Sequence, residues 1–201
     1  DIKFNFIDDG FYIFENSSIP QFFNINESIY ILKFFIDNIL LNVKSPKFRS
    51  KIYIRRDDAN YRKILNEADL IAKLRKQGFE IINPQHFDIL VQMKIFSNAE
   101  LIISPHGSNL SNIIFCKKGT KVIEISPIFN NAYETNISNR YQNLSNIMDL
   151  KFTKINTDSV DVKKHTDLSQ KYIHNKILNN SNYYKNMILK VSEIDKLISN
   201  L

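Results

Sequence analysis

The 201-residue chain is 43% hydrophobic and 12% aromatic, which excludes disorder as its main state and supplies one good core, or one domain with an appendage. Its net charge of +6 comes from scattered lysines in an Asn- and Ile-rich sequence; nucleic acid is not the first inference, whereas an anionic ligand such as a nucleotide diphosphate or an acidic polymer suits the balance. No apolar run reaches membrane-spanning length, and the single cysteine, Cys116, excludes an internal disulfide and argues against a cysteine-based metal site.

In chain order, residues 1–24 place aromatic runs on either side of Asp8-Asp9-Gly10, the pattern of a hairpin. Asn26 can cap a helix running to about Val43, with Ile29, Leu32, Phe35, Ile36, Ile39 and Leu40 on one face. This piece, 1–50, is too short for a complete second α/β domain. From Lys51 the pattern alternates: strands 51–55, 79–83, 100–104 and 121–125, and helices 66–77, 87–97 and 109–116. That predicts an α/β fold, a Rossmann-like parallel sheet flanked by helices, as a domain over 51–167. Gly78 stops the first helix after Arg75 and Lys76, and Pro84 closes the second strand. Beyond Pro127 the sequence predicts a helix at 132–147, a strand at 150–155 and a polar loop to Asp167. Residues 168–200 read as two helical pieces broken about Asn179-Asn180-Ser181-Asn182.

The chemistry-bearing stretch runs from Glu100 to Pro127. Pro105 has no N–H for a ladder, so the strand before it should stop near Ser104. Gly107 permits a positive φ and a close ligand approach, while Ser108 or Asn109 can cap the helix that follows. A helix start at the carboxyl edge of a parallel sheet carries unpaired N–H groups and suits a phosphate, although most such turns hold no ligand. Arg56 follows the first strand and brings a planar fork that matches phosphate oxygens; Arg62 lies six residues on. Both can instead pair with Asp57, Asp58 or Glu67. His106 can donate to a phosphate oxygen, accept a proton, or serve the turn structurally. Glu124 interrupts an apolar strand and needs a partner: the two hydroxyls of a ribose, or solvent and Lys121. Ser108, Asn109 and Asn112 sit in the first helical turn, and Gln92 on the second helix can border the packing or hold a neighbouring loop. The adjacent pairs Asp8-Asp9 and Asp57-Asp58 point apart in extended chain, and Asp158 and Asp161 lie in a polar loop, so no aspartate pair is placed to hold a metal.

Ser104-Pro105-His106-Gly107-Ser108-Asn109-Leu110-Ser111-Asn112, followed by Phe115, Gly119-Thr120 and Val122-Ile123-Glu124-Ile125, resembles the hallmark stretch of glycosyltransferase family 61. Upstream, Lys51 to Ala59 with Arg62 and Asn66-Glu67 resembles the family's arginine-bearing strand end and helix opening, and Gly78-Phe79-Glu80 and Gln92 fall in register. The likeness covers about residues 50–155. Where the family often has a second arginine directly after the first, this chain has Asp57, with Arg55 on the other side.

The resemblance implies the C-terminal, nucleotide-sugar-binding half of a GT-B transferase, with 1–50 as the end of an N-terminal domain or the linker to it, and with 168–201 crossing back. It implies an inverting, metal-independent enzyme moving a sugar from a nucleoside-diphosphate donor, UDP-sugar first, to a glycan or polysaccharide acceptor, with no other cofactor. Arg56, Arg62, His106, Gly107, Ser108, Asn109 and Asn112 would meet the diphosphate, Glu124 the ribose, and Arg56 and His106 would take part in the chemistry. In a bacterium such an enzyme works in the cytoplasm; in a eukaryote, in the secretory lumen. A non-catalytic nucleotide- or glycan-binding module of the same fold is the alternative.

Overall fold

The computed structural model describes residues 38, 47–57, 59–129, 132–160, 182 and 185–190. The expected 1–24 hairpin, the expected 26–43 helix apart from the helical Asn38, residues 161–167 of the expected polar loop and most of 168–201 lie outside the described residues; residues 156–160, Asp158 among them, were expected in that loop and instead continue the strand from 151.

The alternating segments form β1 (Lys51–Ile54), α1 (Glu67–Lys76), β2 (Glu80–Ile82), α2 (Ile89–Ser97), β3 (Leu101–Pro105), β4 (Lys121–Pro127), α3 (Ala132–Ile147), β5 (Lys151–Val160) and β6 (Asn186–Ile188). They make one sheet in the order β2-β1-β3-β4-β5-β6, with β1 to β5 parallel and β6 antiparallel to β5. This is the expected Rossmann-like α/β fold. Its inner strands are buried on both faces, as near-continuous β-branched runs in a parallel sheet require. Ile52, Ile54, Ile102 and Val122 pack with Ile95 and Phe96 of α2 and with Leu110, Ile113 and Tyr141. Tyr53, Ile103, Ile123 and Ile125 pack on the other side with Leu70 and Leu74 of α1 and with Met187 and Leu189.

Gly78 ends α1 with φ 84°, the left-handed stop that the sequence calls for. Three local expectations are corrected. The strand over 101–105 includes Pro105, because the N–H of His106 supplies the next ladder bond, to the Ile125 carbonyl at 2.7 Å. The helix expected over 109–116 is a 3₁₀ helix, Ser108–Phe115. Four of its first five residues are Ser or Asn, which compete for the backbone, and its buried side chains, Leu110 and Ile113, stand at the three-residue repeat of that helix. Residues 186–188, expected in a helical piece, form β6. Met187 and Leu189 are buried while Ile188 is 45% exposed, an alternation of period two. On its other side β6 meets the loop before α1: Arg62 and Leu65 N–H donate to the Lys185 and Met187 carbonyls at 2.9 Å, and Met187 N–H donates to Lys63 at 2.8 Å.

Candidate functional site

The chain runs from β1 outward to β2, then returns to place β3 on the other side of β1, with α1 and α2 on opposite faces of the sheet. Such a reversal opens a crevice beyond the carboxyl ends of the two strands. Those ends are Arg55-Arg56 and Pro105-His106-Gly107. A cavity of about 210 Å³ lies there, lined by Arg55, Arg56, Asp57, Lys63, Ile64, Glu67 and Pro105. A larger groove of about 580 Å³ opens at the opposite, amino edge between Lys51, Ala99, Lys117 and Lys121, and no candidate residue lines it.

The neighbouring arginines have separate surroundings. Arg55 takes the carboxylates: its Nη2 lies 2.7 Å from Asp57 and its Nε and Nη2 donate to Glu67 Oε2 at 3.3 Å. Glu67 is also held by the Tyr53 hydroxyl, which donates to Oε1 at 2.8 Å. Arg56 turns the other way and lies on Gly107. A Cβ at Gly107 would stand 1.4 Å from Arg56 Nη1 and 2.6 Å from Cζ. The expected positive φ at Gly107 is therefore corrected: φ is 172°, extended backbone open to any residue, and glycine is required by the guanidinium instead. Arg62 is buried, with its guanidinium 4.9 Å from the Tyr61 ring centroid and φ at 58°, a left-handed conformation unusual outside glycine. Its bond to Lys185 holds it there.

Beneath Gly107 runs a buried line of charge. His106 is 2% exposed and Glu124 fully buried, and His106 Nδ1 lies 2.5 Å from Glu124 Oε1. Ser104, Glu124 and Lys154 are neighbours across β3, β4 and β5, so Lys154 reaches to 3.8 Å from Glu124 Oε2. Lys154 Nζ donates to the carbonyl and hydroxyl of Ser138 on α3, each at 2.7 Å. Phe129 and Tyr141 meet the imidazole edge-on, with centroids 5.5 and 5.4 Å away. Burial lowers the pKa of His106 from its ordinary value; the Glu124 hydrogen bond and charge oppose this, and the charges of Arg62 and Arg140 add to it. The imidazole is thus neutral near pH 7. An ionised carboxylate can only accept, so opposite an ionised Glu124 the hydrogen bond requires Nδ1–H as the donor. The ribose role expected of Glu124 has no support in this geometry, because its carboxylate faces the interior, and its cation is Lys154 rather than Lys121.

Ser108 is exposed and Asn109 half-buried at the rim of the corner, and neither caps the 3₁₀ helix by its side chain. Asn112 turns away: its amide donates to Gln92 Oε1 at 2.9 Å, and Gln92 donates to the Phe87 carbonyl, holding that loop as expected. The fold thus gathers Arg56, Arg62, His106 and Gly107, with Ser108 and Asn109 beside them, and commits Asn112 and Glu124 to internal bonds. Lys154, Tyr141, Phe129 and Arg140 escaped the sequence reading; Lys154 was legible only through cross-strand register. Cys116 is buried and inert, its thiol pushed up to about 12 by burial. Among the described residues no three His, Cys, Asp or Glu side chains group as a metal site, and no helix is long and apolar enough to cross a membrane.

No curated protein matches the chain significantly. The model of one family, described as Glycosyltransferase 61, matches residues 12–123, more than half of the chain. The matched span carries both arginines and the 104–112 stretch, begins upstream of the expected 50–155, and ends at the residue before Glu124.

Proposed function

Because the chain belongs to glycosyltransferase family 61, we propose that it binds a nucleoside-diphosphate sugar, UDP-linked, and transfers the sugar with inversion to a hydroxyl of a glycan or polysaccharide. One observation carries this reading: Arg56 lies against the backbone of Gly107 in the crevice between β1 and β3. A fixed guanidinium beside the opening turn of a helix suits a diphosphate. At about 210 Å³ the cavity is smaller than complete ligand sites, which run to about 300–1,000 Å³, so it fits the anionic part of the donor. A further domain, in a GT-B arrangement, would supply the acceptor side.

In this mechanism the acceptor oxygen attacks the anomeric carbon as the bond to the diphosphate oxygen breaks. Arg56, Arg62 and the N–H groups after Gly107 offset the charge growing on the leaving group, the task a metal ion performs in other transferases. The acceptor proton passes to a neutral base, and His106, uncovered from Phe129 and Tyr141, is the candidate.

Calorimetric titration of UDP, GDP and CMP into wild type and Arg56→Ala tests the binding step. UDP binding that weakens about 10- to 100-fold in the variant is expected, the value of a charge-assisted hydrogen bond or two. Equal binding by both proteins would remove the donor site. Labelled UDP-sugars then separate transfer from a non-catalytic module, which would bind and never turn over.

A further inference from the structure

Lys154 has no part in the diphosphate corner, yet its ammonium stands one side chain away from His106. Its side chain is 17% exposed, and its surroundings are oxygens: both Ser138 oxygens at 2.7 Å, Asn139 Oδ1 at 3.5 Å and Glu124 Oε2 at 3.8 Å. Glu124 Oε2 accepts no hydrogen bond among the described residues, so this cation is what faces it. The other oxygen faces His106.

We propose that Lys154 is a positioning residue for His106: it keeps Glu124 ionised, which holds the imidazole proton on Nδ1 and leaves Nε2 as the accepting nitrogen. The inference deepens the proposed transfer and rests on it for its catalytic meaning. A protonated Glu124 would donate to Nδ1 and move the histidine proton to Nε2, turning an acceptor into a donor. A carboxylate that orients an imidazole through its other nitrogen is itself best held by a further partner. The groups facing the pair are Lys154 from β5, Arg140 and Tyr141 from α3, Arg62 from the loop before α1, and Phe129 after β4. The plainer role, a strut joining β5 to α3 through Ser138, makes a different prediction.

The test is ¹⁵N NMR of the histidine side chains during a pH titration of wild type, Lys154→Met and Lys154→Arg, with the His106 signal identified by its loss in His106→Gln. The wild type is expected to show the Nδ1–H tautomer. Removing a cation beside a negative pair makes that pair take up a proton more readily. In Lys154→Met the midpoint should therefore move up by roughly one pH unit or more, and Lys154→Arg should restore it. An unchanged tautomer and midpoint in folded Lys154→Met would overturn the inference and leave only the strut. Should that variant not fold, Lys154→Gln, neutral but able to donate to Ser138, reads the same midpoint with the same two outcomes. Because the spectrum needs no donor or acceptor, a shifted midpoint in a protein that transfers no sugar would sink the enzymatic reading and spare this one.

Discussion

Gly107 is defined by what lies on it. The guanidinium of Arg56 fills the space of a side chain there, so the glycine and the arginine form one unit. Gly107→Ala places a methyl group where Nη1 stands; because Arg56 is the end of a flexible side chain, it swings away and the backbone stays. UDP affinity should then fall about as far as in Arg56→Ala, roughly 10- to 100-fold, with little change in melting temperature. The double variant should lose no more than either alone, since both remove one contact. Calorimetry on the three variants checks this, and undiminished binding by Gly107→Ala would divorce the contact from the donor. Arg56, His106 and Gly107 were legible as a group because strand ends and turn residues announce the carboxyl edge. The reason for the glycine was not legible, since it lies in a residue 51 positions earlier.

At the scale of elements, Asn66 shows how the crevice wall is built. In sequence it is a helix opener; in the fold its amide clasps Leu189, donating to the carbonyl at 2.7 Å and accepting from the N–H at 3.1 Å. Together with the bonds of Arg62, Lys63 and Leu65 to β6, it holds the loop that carries Arg62. Asn66→Ala should cost about 1–3 kcal/mol in denaturant unfolding, because two half-buried backbone groups lose their partner. Amide exchange at 62–65 and 187–189 should quicken while that of β3 and β4 does not. Exchange that stays unchanged there would mean the clasp is redundant. The strands and α-helices of 51–127 were readable from periodicity and their punctuation by Gly78 and Pro84, whereas the 3₁₀ geometry of Ser108–Phe115 was not. β6 was not, because three residues carry too short a pattern and the loop that it fastens is remote, with Asn66 lying 123 positions before Leu189.

For the molecule as a whole, the β-α alternation announced a parallel sheet but not its strand order, which no local pattern encodes. The reversal between β1 and β3, and the alignment of Ser104, Glu124 and Lys154, follow from that order alone. The buried line of charge also couples global stability to acidity. Folded His106 takes up its proton at lower pH than the unfolded chain, which titrates near 6.5. Below about that pH the unfolded state binds the extra proton, so stability falls as pH drops toward the folded value and then levels off. The slope is at most about 1.4 kcal/mol per pH unit for one site. Urea midpoints between pH 7 and 5 should show this slope in wild type and lose that part of it in His106→Gln; identical slopes would place the acid sensitivity elsewhere. The clasp between residues 62–66 and 185–189 has one more result, in time rather than space. On a ribosome the arginine loop emerges more than a hundred residues ahead of the strand that fastens it. A nascent chain can therefore pair β1 to β5 before the loop that carries Arg62 is fastened, so this wall of the crevice is completed after the sheet beside it.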